Sequence, residues 1–192
     1  MPSWEEALAA VQGLKRLIRF DAGFAAWFDR SAAGALRSFG LMLPMLPCFL
    51  ILRFVNVELV EDVSTFRLAG ATAANFALSW VMYPLFLIVI GRALERENQA
   101  IGTITFYNWF NFFLVLVATA LHLLEYSGML GAVPRALLVF LVFASLILEG
   151  FAFRILLGVG YGGAVLLVFL DYVLTQSLYI LLMSPLFQPQ VT

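Results

Sequence analysis

Glu149 and Asp171 are the side chains in this sequence with the strongest potential for chemistry, because both lie within long apolar runs. An ionisable group in a membrane-length apolar segment is costly, so it is by default a candidate proton or ion site. Glu149 lies 11 residues before Gly160 and Asp171 lies 11 residues after it. A glycine-rich turn there, joining two antiparallel helices, would place both carboxyl groups at the same depth.

Other polar side chains are predicted at a similar depth. At ~1.5 Å per residue they lie roughly 8–14 Å from the cytoplasmic ends of their helices, with Asn111 one turn deeper. The candidate intramembrane polar site comprises Glu149, Asp171, Arg154, Asn108, Asn111 and Tyr83.

This polar layer has two interpretations. In the structural one, the side chains hydrogen-bond across helices, with Arg154 reaching toward Glu149 or Asp171, each link contributing ~0.6–2 kcal/mol. In the functional one, a cavity open to the cytoplasm lets Glu149 or Asp171 exchange a proton with a coupled substrate. A third alternative is a misplaced helix boundary, which would leave Glu149 and Arg154 at the membrane interface.

The sequence carries no pattern typical of a metal, cofactor or catalytic site. Cys48 is the single cysteine and His122 the single histidine, so neither has a partner of its own kind to share a metal. The metalloprotease, acyl-transfer and ATPase signatures are absent. We therefore expect no enzyme activity, no cofactor and no metal.

The composition places these residues in a membrane. The chain of 192 residues is 63 % hydrophobic and 12 % charged, whereas soluble domains average ~45–50 % and ~25 %. The net charge of −1 lacks the basic field that nucleic-acid phosphates require, so nucleic acid is not an expected partner.

Five apolar runs have the ~20-residue length of a membrane-spanning helix. The predicted spans are approximately 35–52, 68–91, 101–124, 135–157 and 164–183. Pro134 sits where the fourth helix would begin, a position that proline favours. The predicted fold is therefore an all-α, polytopic transmembrane bundle of five spans plus an N-terminal amphipathic surface helix. The alternative has four spans, with the proline-containing first segment re-entrant.

The positive-inside rule orients this bundle with its N-terminus in the cytoplasm and its C-terminus outside. Eight basic residues then fall on the cytoplasmic side, and the outer side keeps Arg53, Arg67 and Arg135, with Glu58 and the other acids of the first loop. Residues 1–30 form a cytoplasmic interfacial segment, 31–186 the transmembrane domain and 187–192 a short non-cytoplasmic tail.

The N-terminal segment is predicted to be a helix on the membrane surface. Ser3 and Glu6 have the spacing of a capping box. Apolar residues then recur at helical spacing, with polar residues on the opposite face: Trp4, Ala7, Leu8, Val11, Leu14 and Ile18 against Glu5, Gln12, Arg16 and Arg19. The expected membrane-surface residues are Trp4, Lys15, Arg16 and Arg19. The alternative is a helix packed on the soluble face of a partner subunit.

Several short motifs resemble a family of uncharacterised bacterial inner-membrane proteins of similar length. They are 28–31 (Phe-Asp-Arg-Ser), 107–109 (Tyr-Asn-Trp), Glu149 with Arg154, 157–158 (Leu-Gly) and 170–171 (Leu-Asp). More distantly, the five-span plan resembles the Yip family, whose eukaryotic members bind Rab GTPases. The long soluble N-terminal region of many Yip proteins is absent here, so GTPase binding is not implied.

These observations favour a bacterial inner-membrane protein that acts without catalysis, as a scaffold, assembly factor or membrane-organising component. The expected partners are the lipid bilayer and other membrane proteins or a second copy of the chain. The alternative is a small secondary transporter or proton-coupled permease that uses Glu149 and Asp171. The lack of a clear internal repeat counts against a transporter.

Overall fold

The computed structural model describes residues 1–54 and 63–186. In these ranges the chain forms α1 (Trp4–Leu17), α2 (Ala32–Ser38), α3 (Met42–Phe54), α4 (Thr65–Ala93), α5 (Glu97–Ser127), α6 (Val133–Leu157) and α7 (Tyr161–Leu182). Short 3₁₀ turns lie at Ala22–Trp27, Phe39–Leu41 and Ser184–Leu186. No strand occurs within the described ranges, which confirms the all-α class. The predicted outer acids Glu58, Glu61 and Asp62 and the predicted tail 187–192 lie outside the described residues.

Five helical segments are long and apolar enough to cross a membrane, as the sequence predicts. They are Ala32–Phe54, Thr65–Ala93, Glu97–Ser127, Val133–Leu157 and Tyr161–Leu186. Each extends beyond the apolar run that predicted it, except that the fourth still ends at residue 157. The first has 23 residues, enough to cross the ~30 Å hydrocarbon core, and this favours five spans over four. Pro134 occupies the first turn of α6, as predicted.

The first crossing segment is divided by a 3₁₀ turn. Helix α2 passes through Phe39–Leu41 into α3 without leaving the helical direction. Pro44 follows that turn, and its ring clashes with the carbonyl four residues earlier, at Gly40, while supplying no N–H to bond it. The tighter turn just before the proline is the local response to that conflict.

Helix α5 is the centre of the bundle, because it packs against α2, α3, α4 and α6. Residues 102–110 of α5 are all buried, and Phe106 and Phe110 join the main aromatic core. Phe24 and Phe28, from the segment before the first span, pack edge-on against Phe106 with ring centroids 5.5 and 5.4 Å away. The N-terminal segment is thus an integral part of the core.

Helix α1 begins with the predicted capping box, in which Ser3 and Glu6 bond reciprocally. It buries Ala10 and Leu17 against the chain's own 3₁₀ turn and α5, a face that the sequence pattern missed. Part of the predicted apolar stripe remains exposed, including Trp4, whose exposed fraction is 76 %. Helix α1 therefore presents one face to the bundle and leaves other apolar side chains exposed.

Gly13 makes the close approach of α1 possible. A Cβ atom at this position would lie 2.6 Å from Cε2 of the buried Phe28 ring. Phe28 is fixed by its contact with Phe106, so the ring has little room to move. Any larger side chain at position 13 would push α1 away from the core.

Arg37 ties α1 to the start of the first span. Its guanidinium lies 2.7 Å from Glu6 Oε1 and 2.6 Å from Asp29 Oδ2. Burial raises the pKa of Glu6, but the hydrogen bond from Arg37, the backbone hydrogen bond from Ser3 and the positive charge of Arg37 together leave that pKa below its usual value. The Asp29 pKa is also lowered, first by the backbone and side-chain hydrogen bonds of Ser31 and then by Arg37.

Candidate functional site

The two intramembrane carboxyl groups meet across the last helical hairpin. Helix α6 ends at Gly158, which adopts the left-handed conformation (φ 64°), and α7 follows directly from Gly160. The side chains of Glu149 and Asp171 are close enough to interact with one another. Two ionised carboxylates offer only acceptors, so a direct hydrogen bond between two such groups requires one of them to carry a proton. The symmetric spacing about Gly160 predicted the common depth of the pair.

Tyr107 on α5 completes this pair. Its hydroxyl donates a hydrogen bond of 2.8 Å to Asp171 Oδ1, and its side chain is buried. Sequence reasoning did not include Tyr107 among the candidate site residues. The available signal was the i, i+4 spacing of Tyr107 and Asn111, which places Tyr107 on the polar side of α5.

Tyr83 on α4 connects a fourth helix to these side chains. Its hydroxyl donates 3.0 Å to the carbonyl oxygen of Leu167, one turn before Asp171 on α7. Its ring packs on Tyr107 with centroids 4.9 Å apart and on Phe153 at 5.8 Å. The four side chains Tyr83, Tyr107, Glu149 and Asp171, one each from α4, α5, α6 and α7, are called here the carboxyl–tyrosine cluster.

The two predicted asparagines lie outside this cluster. Asn108 Nδ2 donates 2.9 Å to Ser38 Oγ, which links α5 to α2. Asn111 Nδ2 donates 3.1 Å to the carbonyl of Tyr107 and so stays on its own helix. Consecutive helical residues point about 100° apart, and this is why Asn108 and Tyr107 face different neighbours. The single predicted layer is thus divided between two interfaces.

Arg154 does not reach the carboxyl pair. Its guanidinium lies over the ring of Tyr161, 4.2 Å from the ring centroid. It lines a groove of about 710 Å³ between α6 and α7, called here the α6–α7 groove. Gly150 and Val168, neighbours of the carboxyl residues, also line this groove, but Glu149 and Asp171 do not. Glu149 is buried and Asp171 is half-buried, and neither lines the groove.

Two other arginines bond the last carbonyls of α6. Arg96 Nη1 donates to the carbonyl oxygens of Leu157 and Gly158, at 2.6 and 2.5 Å, and Arg30 Nη2 donates 3.4 Å to that of Leu156. Cations at a helix C-terminus satisfy unpaired carbonyls and oppose the negative end of the helix dipole. From the sequence, these two arginines were interpreted only as cytoplasmic charges that orient the bundle.

The predicted membrane-surface residues are partly paired and partly exposed. Arg16 pairs with Asp21 at 3.1 Å and stacks over Trp27. Lys15 and Arg19 are exposed, as is Trp4.

The chemistry available to the carboxyl–tyrosine cluster is hydrogen bonding between helices. Glu149 has an exposed fraction of 6 %, and its Oε1 has no hydrogen-bond partner among the described residues. Within the same part of the chain, no three His, Cys, Asp or Glu side chains converge as a metal site would require. The cluster is thus an acidic pair held by tyrosines within packed helices.

The fold and this cluster define a multi-pass, helical integral membrane protein. Comparison with protein families, curated proteins and solved structures finds no significant match to the chain.

Proposed function

We propose that this chain is a non-catalytic component of a bacterial inner membrane, acting as a scaffold, assembly factor or organiser of the surrounding membrane. The observation that carries the proposal is the placement of the carboxyl–tyrosine cluster. The Tyr107 hydroxyl donates a hydrogen bond to Asp171, and the Tyr83 hydroxyl donates one to the α7 backbone. Each bond joins two different helices, so the cluster fixes the register of α4, α5 and α7 around Glu149 on α6.

The orientation that we propose has the N-terminus in the cytoplasm and the C-terminus outside. The ends of α4 and α6 and the starts of α5 and α7 lie on the same side of the antiparallel bundle, together with α1. Basic side chains concentrate there, whereas the opposite end carries few: Lys15, Arg16, Arg19, Arg30, Arg37, Arg92, Arg96 and Arg154 against Arg53, Arg67 and Arg135. This asymmetry supports the positive-inside assignment.

The proposed partners are the lipid bilayer and other membrane proteins or a second copy of the chain. The exposed apolar side chains of α1 support a lipid contact at the cytoplasmic surface.

The second candidate is a proton-coupled permease. It is favoured by Oε1 of Glu149, which is buried and has no hydrogen-bond partner within residues 1–54 and 63–186, because a carboxyl with free hydrogen-bonding capacity can pass a proton. In that function Asn108, Asn111 and Tyr83, also members of the predicted polar site, would be the ligand contacts. Only Tyr83 lies in the cluster, so a ligand site made of all three is not assembled.

Neutral isosteres separate the two functions. We expect Glu149→Gln and Asp171→Asn to lower thermal stability in detergent but to restore function when expressed in a strain lacking the wild-type gene. In vesicles containing a trapped pH dye, the wild-type protein should dissipate an imposed pH gradient no faster than protein-free vesicles.

Two results would overturn the scaffold proposal. One is a proton flux that depends on the wild-type protein and disappears in a folded Glu149→Gln variant. The other is failure of a folded isostere to restore function. Leu181→Val, on an exposed α7 side chain outside the α6–α7 groove, controls for the effect of substituting this helix.

A further inference from the structure

The α6–α7 groove has the chemical character of a lipid site. Its volume of about 710 Å³ falls in the ~300–1,000 Å³ range of small-molecule sites. The small residues Gly150 and Ala164 lie on its two helices and leave the space between them unfilled, while Ile147, Val165 and Val168 supply apolar walls. An acyl chain is a suitable occupant of such a space.

One end of the groove is positively charged. Arg154 lies one turn before the end of α6, and Tyr161 is the first residue of α7, so both lie near the predicted cytoplasmic surface. Among the described residues, no carboxylate forms an ion pair with Arg154. The contact with the Tyr161 ring orients the guanidinium but leaves its charge uncompensated.

The end of α1 lies against this charged end. Phe20 adopts a left-handed backbone conformation (φ 55°) that is rare for a bulky residue. Its ring packs edge-on against Phe151 at a centroid distance of 5.4 Å, and both rings line the groove. Phe20 and Arg154 therefore both border the same end of the groove.

We propose that the α6–α7 groove binds an anionic phospholipid, with an acyl chain between the two helices and the headgroup phosphate at Arg154. Charge complementarity selects this occupant: an apolar channel that ends in an unpaired guanidinium at the membrane surface matches a lipid whose apolar tail ends in a phosphate. A zwitterionic phospholipid such as phosphatidylcholine lacks the net negative charge that Arg154 would attract.

Native mass spectrometry of the full chain in detergent, titrated with phosphatidylglycerol or phosphatidylcholine, tests the site. We expect preferential binding of phosphatidylglycerol. Arg154→Gln should weaken it about tenfold, the effect of losing roughly one charge-assisted hydrogen bond, and Arg154→Lys should keep the preference. Arg92→Gln, which removes a cation at the same end but outside the groove, should bind like the wild type.

A second pair of variants tests the acyl-chain site. Val165→Trp places a large ring in the groove, whereas Leu166→Trp, at a similarly exposed neighbouring position outside it, does not. We expect lipid binding to be lost in the first and kept in the second, with both folded by circular dichroism. If Val165→Trp instead changes the oligomeric state and leaves lipid binding intact, the groove is an interface between copies and the proposal fails.

Two further outcomes overturn the proposal. One is equal binding of both phospholipids, or wild-type affinity in Arg154→Gln. The other is that inorganic phosphate alone raises the thermal stability of the protein as much as phosphatidylglycerol does. The site would then recognise a free anion without a lipid chain. Neither outcome depends on the scaffold function proposed above.

Discussion

Tyr107→Phe removes a single hydroxyl from the carboxyl–tyrosine cluster and leaves the ring in place. The wild-type hydroxyl donates 2.8 Å to Asp171 Oδ1 from a buried side chain. Phenylalanine fills almost the same volume, so no cavity term is added. The change therefore measures the interhelical hydrogen bond itself.

The expected loss follows from this geometry. Hydrogen bonds between membrane helices contribute ~0.6–2 kcal/mol, and leaving a buried acceptor unpaired costs ~1–3 kcal/mol. These ranges describe overlapping effects, so we expect a loss of about 1–2 kcal/mol. At ~2–4 °C per kcal/mol for a chain of this size, Tm should fall by about 2–8 °C. Tyr172→Phe, on an exposed tyrosine, should change stability by less than about 0.5 kcal/mol.

A double-mutant cycle isolates the Tyr107–Asp171 contact. Unfolding free energies are measured by denaturant titration in micelles for Tyr107→Phe, Asp171→Ala and the combined variant. We expect a coupling energy of at least about 0.6 kcal/mol. Additivity within about 0.3 kcal/mol would refute the reasoning, because the bond would then add nothing beyond what each side chain contributes alone.

Two further predictions concern the attachment of α1. Gly13→Ala should loosen α1 because the added Cβ atom clashes with Phe28, and hydrogen exchange in residues 4–17 should become faster. Gly70→Ala is the control, since nothing lies within 4 Å of its added Cβ atom, and it should be neutral or stabilising. Equal hydrogen exchange of residues 4–17 in the two variants would contradict this packing. Acidification should also release α1. The pKa of Glu6 is lower in the folded protein than its usual 4.5. The ion pair of Glu6 with Arg37 therefore stabilises the fold fully above pH 4.5, and this stabilisation is lost as the pH falls through the folded pKa. Glu6→Gln should remove part of this pH dependence, and an unchanged acid profile in that variant would exclude the pair as its cause.

The sequence predicted the helical elements well, because each depends on local pattern. Five apolar runs of membrane length gave five crossing helices, and Ser3 with Glu6 gave the start of α1. Pro134 marked the start of α6, since a proline in the first helical turn loses no hydrogen bond.

The carboxyl–tyrosine cluster was only partly predictable. Glu149 and Asp171 share a hairpin, so their depth follows from counting residues about Gly160. Tyr107 was missed because helix α5 is far in sequence from the α6–α7 hairpin. The rotation of α5 about its own axis depends on how it packs against its neighbours, and the sequence does not show that packing. Arg154 was expected at the carboxyl pair but lies at Tyr161, because its long side chain has several partners within reach.

By itself, therefore, the sequence determined which segments cross the membrane, the helical start of α1 and the common depth of the carboxyl pair, because periodicity, capping and helix rise are local properties. Only the tertiary structure decided which face of each helix meets which neighbour. That choice joined Tyr107 to Asp171 and directed Asn108 to Ser38, and it left the α6–α7 groove open beside Arg154. In apolar helices, hydrophobicity is nearly uniform around the axis, so close packing and a few polar contacts set the rotation that sequence periodicity does not reveal.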